Sequence, residues 1–176
     1  CVVTEELSKV CGGMALGFAA TGLGAFPILI SGSDEQKRKF LPRVADGTLA
    51  AFALTEANAG SDVAGMQTHA VEDGDCYVLN GTKQWITNGG EAEIYSVFAV
   101  TDPDRGARGV SCLVVEKGTE GFTFGKKEDK MGIRASATRE LIFQDCRVPK
   151  ENLLGKRGTG FFTAMKTFDQ SRSGVA

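Results

Sequence analysis

Residues 76–90 read Cys-Tyr-Val-Leu-Asn-Gly-Thr-Lys-Gln-Trp-Ile-Thr-Asn-Gly-Gly, and this stretch carries the strongest structural signal in the chain. Cys76–Leu79 has the composition of a β-strand, and Asn80-Gly81 is the dipeptide that most strongly favours a two-residue hairpin turn. We therefore predict that Lys83–Thr87 returns antiparallel to the first strand. The returning segment holds the only tryptophan of the chain, Trp85.

Further strand-like segments lie on both sides of this predicted hairpin. They are separated by short polar turns, with no helical pattern between them, which favours an antiparallel sheet or barrel. The segments are Ala50–Leu54, Ile94–Val100, Val110–Val115, Phe122–Phe124 and Arg139–Phe143.

Helical patterns flank the strands. Val2–Ile30 is rich in alanine, glycine and larger apolar residues, which would allow close packing of a helix. A second helix is predicted to begin at Ser33, because Ser33 and Gln36 fit a capping box, and Pro42 is expected to bend it. A helical pattern returns after Pro149. The predicted fold class is therefore α+β, with an antiparallel β-barrel-like middle part flanked by helices.

Composition and charge narrow the classes of function. The 176 residues are 42% hydrophobic and carry a net charge of −2, so no basic field is available to hold nucleic acid or an anionic membrane. Five scattered cysteines without a Cys-x-x-Cys pair argue against a disulfide framework or a zinc site, and predict reduced thiols. The single histidine, His69, cannot build a multi-histidine metal site and is expected on a strand or loop surface.

The ends and the longest apolar run allow two more expectations. Met14–Ile30 is the most apolar run, but its glycines and Pro27 are expected to interrupt it below membrane-spanning length. The sequence lacks an initiator methionine, begins inside a helical pattern and ends without a helix stop signal. We expect a piece of a longer protein, without a signal peptide in these residues.

Three segments carry residue types that could bind a ligand. The small residues of 51–62 would let backbone N–H groups face a planar heterocycle or a phosphate. The indole of Trp85 could pack against a flat cofactor, with Thr87 close enough to hydrogen-bond to it. Two arginines with serine and threonine in 130–141 could hold a phosphate or a neighbouring subunit. Taken singly, each is explained at least as well by ordinary structure: a strand-to-loop junction, a core tryptophan on a hairpin and a solvated strand edge.

Taken together and in order, four motifs resemble the acyl-CoA dehydrogenase family over essentially the whole chain. The motifs are Leu-Thr-Glu-Ala-Asn-Ala-Gly-Ser-Asp at 54–62, Leu-Asn-Gly-Thr-Lys-Gln-Trp-Ile-Thr-Asn-Gly at 79–89, Met-Gly-Ile-Arg-Ala-Ser-Ala-Thr-Arg at 131–139 and Phe-Asp-Gln-Ser-Arg at 168–172. The resemblance implies a flavin- and substrate-binding β-domain at 48–150. It would lie between the end of an N-terminal helical domain at 1–47 and the start of a C-terminal helical domain at 151–176.

The same resemblance implies FAD as cofactor and an acyl-CoA as substrate. Trp85 would pack beside the flavin and Thr87 would hydrogen-bond near N5, the hydride-accepting atom. The implied reaction is α,β-dehydrogenation of the thioester in fatty acid β-oxidation, with electrons passing to an electron-transferring flavoprotein and a homotetramer as the full-length assembly. The implied cofactor-binding residues are Phe52, Leu54, Thr55, Gly60, Ser61, Trp85, Ile86 and Thr87, and the implied substrate-binding residues are Ser61, Asp169 and Arg172.

No catalytic base is expected among these residues. Some family members carry the catalytic glutamate just before the arginine of the Phe-Asp-x-x-Arg motif, where this chain has Ser171. The chain therefore resembles those members, short- and medium-chain types among them, whose base lies further along the sequence. We expect the isolated chain to bind FAD poorly and to lack dehydrogenase activity.

Other functions remain open at this point. An acyl-CoA oxidase or a flavin monooxygenase of the same fold would differ mainly in oxygen access to the flavin. A non-catalytic interaction module could have kept the fold and lost the cofactor, although Trp85-Ile86-Thr87 and Gly60-Ser61 argue against it. The absence of a visible targeting segment favours a bacterial cytoplasmic location over a mitochondrial matrix one.

Overall fold

An eight-stranded sheet occupies the middle of the chain in the computed structural model, which describes all 176 residues. Four α-helices flank it: α1 Val2–Val10, α2 Gly12–Ser31, α3 Asp34–Ala45 and α4 Gly160–Val175. The strands are β1 Ala50–Ala53, β2 His69–Asp73, β3 Cys76–Thr87, β4 Ile94–Val100, β5 Val110–Glu116, β6 Phe122–Phe124, β7 Thr138–Pro149 and β8 Leu153–Leu154. Short 3₁₀ turns lie at Val63–Gly65, Pro103–Gly109 and Lys150–Asn152.

The sheet is mostly antiparallel and curls toward closure. Its strand order is β6-β7-β3-β2-β4-β5-β8, with β1 pairing alongside β4. Only the β1–β4 and β2–β4 pairings are parallel. Across the curl, the ring of Tyr95 on β4 meets that of Phe122 on β6 at 4.9 Å between centroids. The α+β prediction with a barrel-like sheet is confirmed, and the sheet stays open at β6 and β8.

Two hydrophobic clusters fill the two sides of this sheet. The inner cluster lies inside the curl and contains 17 buried residues, among them Tyr77, Leu79, Tyr95 and Phe143. The outer cluster contains 13 buried residues and includes Ile28 of α2 and Phe40 of α3, so it joins the sheet to the helices. The helices therefore lie against one face only of the curled sheet.

The predicted hairpin at Asn80-Gly81 is wrong. Strand β3 runs through this dipeptide without turning, and the hairpin lies earlier, at Gly74-Asp75, between the paired residues Asp73 and Cys76. Gly81 has φ +141°, and a Cβ there would lie 2.7 Å from Thr68 Cα. The glycine therefore serves a close approach of two backbones rather than a reversal of the chain.

The helical segments also differ from the prediction in their limits. The first helix is broken at Cys11, which is extended with φ −158° and ψ 107°. The capping box of Ser33 and Gln36 is confirmed, and Pro42 lies inside the uninterrupted α3. After Pro149 the chain first makes a 3₁₀ turn and β8, and only then α4.

Helix α2 runs through the apolar segment that its glycines and Pro27 were expected to interrupt. Its 20 residues include five glycines and Pro27 without a break, and by length and composition alone it could cross a membrane. The expectation that the run is interrupted is therefore wrong. Gly24 contacts the sheet directly: a Cβ there would lie 2.5 Å from Ala51 N, and its carbonyl accepts the Ser96 hydroxyl at 2.7 Å. One face of α2 is thus packed within the protein.

The cysteines and the histidine occupy ordinary positions. All five cysteines are free, and burial raises the pKa of the Cys146 thiol to about 11. His69 is exposed at the start of β2, as predicted.

Candidate functional site

A large groove opens where α2, the end of β1, the second half of β3 and the end of α4 meet. Its volume is about 1070 Å³, and 19 of its 35 lining residues are hydrophobic. Glu91 is the only charged residue among them. This volume lies at the top of the roughly 300–1,000 Å³ typical of small-molecule sites, and the mixed lining suits a large ligand or cofactor with both apolar and polar parts.

A β-bulge presents Trp85 to this groove. Lys83 pairs with Leu141 and Ile86 pairs with Arg139, so β3 contains one residue more than β7 between the two pairs. Trp85 lies in this bulge with φ +60°, a left-handed conformation that is costly for an aromatic residue, and it is 56% exposed. A flat apolar side chain held in this way, facing a groove, is a candidate ligand contact.

Asn88 closes the inner end of the groove. Its side-chain amide lies within hydrogen-bonding distance of three acceptors: Gly17 O at 3.0 Å, Thr21 Oγ1 at 3.2 Å and Ala50 O at 3.2 Å. The residue is buried and has φ +64°. It connects β3 to both α2 and β1, directly beside Thr87.

The end of β1 forms a neighbouring part of the lining. The ring of Phe52 packs between Phe98 at 4.9 Å and Phe168 of α4 at 5.6 Å. Leu54 is buried and Thr55 is half-buried. The Thr55 carbonyl accepts the Gln84 N–H at 2.8 Å, which joins this wall to the bulge in β3.

A buried ion pair lies behind these two walls. Lys83 Nζ donates to Glu56 Oε1 at 2.7 Å, and the side chains are 0% and 8% exposed. Burial lowers the pKa of Lys83 to about 8, although Glu56 opposes the shift. Burial acts to raise the pKa of Glu56, but Lys83 and the N–H groups of Gln67 and Thr68 outweigh it and hold that pKa below its usual value. Each group thus favours the charged form of the other against the cost of burial.

Of the ten residues that the sequence predicted for the site, six line the groove. These are Phe52, Leu54, Thr55, Trp85, Ile86 and Thr87. Ile86 contributes little side-chain surface, because it is 3% exposed and belongs to the inner cluster. Trp85, Thr87 and the end of β1 thus line one groove.

The other four predicted residues lie outside the groove. Gly60 and Ser61 are exposed in the loop after Glu56. Asp169 and Arg172 are exposed on α4, and the Arg172 guanidinium lies 5.5 Å from the Phe168 ring. The structure does not bring these four residues together with the first six.

Sequence reasoning missed three contributors: Asn88, Phe168 and the Lys83–Glu56 pair. Asn88, Lys83 and Glu56 lie inside the quoted motifs, and Phe168 begins one. The glutamate just after one apolar strand and the lysine within another could have been suspected as a buried pair. Nothing in the linear spacing shows that they meet.

Two basic residues of the segment 126–139 have partners within the protein. Lys130 Nζ donates to Ser136 O at 2.8 Å and to Thr138 Oγ1 at 3.0 Å. Arg139 pairs with Glu91 at 3.6 Å, so the one acidic group lining the groove is already engaged.

Comparison with known families gives two matches. A family described as "Acyl-CoA dehydrogenase, middle domain" matches residues 51–146, and one described as "Acyl-CoA dehydrogenase, N-terminal domain" matches residues 1–48. Together they cover α1 to α3 and most of the sheet, and they end before β8 and α4.

Individual proteins agree with this result. A short-chain-specific acyl-CoA dehydrogenase of Megasphaera elsdenii is 53% identical over 99% of this chain and 46% of its own length. A chain in the solved structure of the electron transferring flavoprotein of Acidaminococcus fermentans is 53% identical, with a TM-score of 0.96 over 98% of this chain and 46% of its own. An acyl-CoA dehydrogenase of Bacillus anthracis, solved with FAD, is 43% identical, with a TM-score of 0.92 over 98% of this chain and 30% of its own. The chain thus spans less than half the length of these proteins.

Proposed function

The chain belongs to the acyl-CoA dehydrogenase family, and from that premise we propose that the protein catalyses FAD-dependent α,β-dehydrogenation of an acyl-CoA thioester. The observation that carries this proposal is the shared groove. Trp85 and Thr87 from β3 line the same groove of about 1070 Å³ as Phe52 and Thr55 from the end of β1. These are the positions to which the sequence resemblance assigned the flavin.

The residues of the groove fit a flavin. Trp85 offers an exposed flat surface, while Thr55 and Thr87 offer hydroxyl groups beside it. A bound flavin supplies the acceptor for the hydride that leaves the β-carbon of the substrate. Phe52 and Phe168 would exclude water from the groove, and Thr87 would hold the ring by a hydrogen bond.

The proton acceptor for the α-carbon lies outside these residues in our proposal. Ser171 lines the groove but is no base, and Glu91 is paired with Arg139 at 3.6 Å. The substrate carbonyl must be polarised before its α-proton becomes acidic, and no cationic side chain lines the groove to do this. The isolated 176 residues are therefore expected to be inactive.

The organisation and the partners follow as further parts of the proposal. Residues 1–47 would end an N-terminal helical domain, 48–150 would form the β-domain and 151–176 would begin a C-terminal helical domain. The relative described as short-chain specific supports a short-chain acyl-CoA as substrate. The similarity to a chain from an electron transferring flavoprotein structure supports such a protein as electron acceptor. We further propose a homotetramer in the bacterial cytoplasm, with Ser61, Asp169 and Arg172 contacting the CoA part.

A threonine substitution tests the flavin role. In the full-length protein, Thr87→Val should lower kcat for butyryl-CoA with a dye acceptor about tenfold, because one hydrogen bond to the cofactor is lost. Thr82→Val is the matched control, since Thr82 is exposed on the same strand outside the groove. Colourless wild-type protein without flavin absorbance would instead favour the interaction module. Fast reoxidation of the reduced protein by air would favour an oxidase or a monooxygenase.

A further inference from the structure

Lys83 and Glu56 are the only charged residues among the 52 buried ones. Burying two charges costs solvation free energy that their mutual attraction does not reliably recover, and apolar residues in their place often give equal stability. Their presence is therefore poorly explained by stability alone. An ion pair fixes the distance and orientation of the segments that carry it, so a role in positioning those segments is a better explanation.

The contacts of the pair supply such a role. Besides Glu56, Lys83 Nζ donates to the carbonyl of Leu54 at 3.1 Å. Glu56 in turn accepts the N–H groups of Gln67 at 2.7 Å and Thr68 at 3.0 Å. One ion pair thereby connects β3 to both ends of the loop that spans residues 54–68.

The connected points are neighbouring parts of the groove lining, since the Gln84 N–H also donates to the Thr55 carbonyl at 2.8 Å. Leu54 and Thr55 lie on one wall. Lys83 lies at the start of the bulge, two residues before Trp85 and four before Thr87. Any change in the distance between Lys83 and Leu54 would therefore move residues 54–55 relative to Trp85 and Thr87, where the flavin ring is proposed to bind.

We propose that Lys83 and Glu56 are positioning residues that set the separation between residues 54–55 and the Trp85–Thr87 wall for flavin binding. This inference rests on the proposed function. Neither side chain lines the groove, so both act through the backbone and side chains that they hold. Because the pair also ties down both ends of the loop, its loss should increase hydrogen exchange at the amides of Gln67 and Thr68.

The test uses the full-length protein with two variants of the pair and one control. Lys83→Met leaves Glu56 buried and unpaired, whereas Lys83→Met/Glu56→Gln removes both charges. The control is Lys117→Met, which breaks the exposed pair of Lys117 and Glu93, 3.5 Å apart on the same sheet. FAD dissociation constants and flavin absorption spectra are measured well below the unfolding transition of each variant, so that only folded protein is compared.

The proposal requires FAD binding at least about tenfold weaker in both variants of the pair, equivalent to about 1.4 kcal/mol, with a flavin spectrum closer to that of free FAD. The double variant should regain part of the stability that Lys83→Met loses, without regaining the affinity. An FAD affinity within twofold of wild type in the double variant would overturn the inference and leave the proposed function intact. The same holds if Lys117→Met weakens FAD binding as much as the variants of the pair do. Wild-type protein that binds no FAD would overturn the proposed function, and this inference with it.

Discussion

Both halves of β3 pair antiparallel with β7, but they differ in what their side chains do. The first half, Cys76–Leu79, pairs regularly with β7 and buries Tyr77 and Leu79 in the inner cluster. The second half, Lys83–Thr87, contains a bulge, buries a charged lysine and leaves its tryptophan 56% exposed. One half stabilises the sheet and the other forms a wall of the groove.

The difference comes from a change of parity along the strand. Side chains of a regular strand alternate, so Leu79 and Trp85 would face the same side and Trp85 would join the inner cluster. The extra residue in the bulge places Ile86 in that cluster instead. A single inserted residue thus turns an apolar core position into an exposed groove position.

The largest effect on stability is expected in the regular half. Leu79→Ala removes a fully buried side chain from the inner cluster, so the free energy of unfolding should fall by about 3 kcal/mol. Chemical denaturation of the full-length protein measures this loss. Val71→Ala, at an exposed position on the neighbouring β2, is the control and should have little effect. A loss below about 1 kcal/mol for Leu79→Ala would show that the inner cluster is not a packed core.

An intermediate effect is expected at the junction of the two halves. Gly81→Ala forces a side chain onto φ +141° and places its Cβ 2.7 Å from Thr68 Cα. The expected loss is about 2 kcal/mol, from backbone strain and from displacement of Thr68. Gly12→Ala is the control, because its Cβ would meet nothing within 4 Å. Equal melting temperatures for the two variants would refute the close approach of β3 to Thr68.

The smallest effect on stability is expected at the bulge itself. Asparagine tolerates the left-handed conformation better than tryptophan, so the relief of strain in Trp85→Asn offsets the loss of a half-exposed ring. The free energy of unfolding should change by less than about 1 kcal/mol, while FAD affinity, measured by titration, should fall. A large loss of stability would show that Trp85 is a core residue after all.

Local signals predicted much of the fold. The order of helices, strands and helix was correct, the capping box of Ser33 formed as expected, and the segments at 94–100 and 110–115 became β4 and β5. Each depends on neighbours within a few residues. The Asn80-Gly81 hairpin failed because a left-handed glycine serves a turn and a close backbone contact equally well, and the distant Thr68 decided between them.

The candidate site was predicted in part, and for a different reason. The resemblance of four motifs pointed to Trp85, Thr87 and the end of β1, which do share a groove. It gave no role to Asn88, whose amide lies near acceptors on α2 and β1 that are 38 to 71 residues away in sequence. Gly60, Ser61, Asp169 and Arg172 lie outside that groove, and their role stays a prediction.

By itself the sequence determined the fold class, the family and the positions of most groove residues, because periodicity, caps and motifs are local properties of the chain. Only the tertiary structure decided which side of the sheet Trp85 faces and which partner Lys83 finds. Both depend on pairing between distant strands: one extra residue opposite β7 reverses the alternation, and a glutamate 27 residues away supplies the opposite charge.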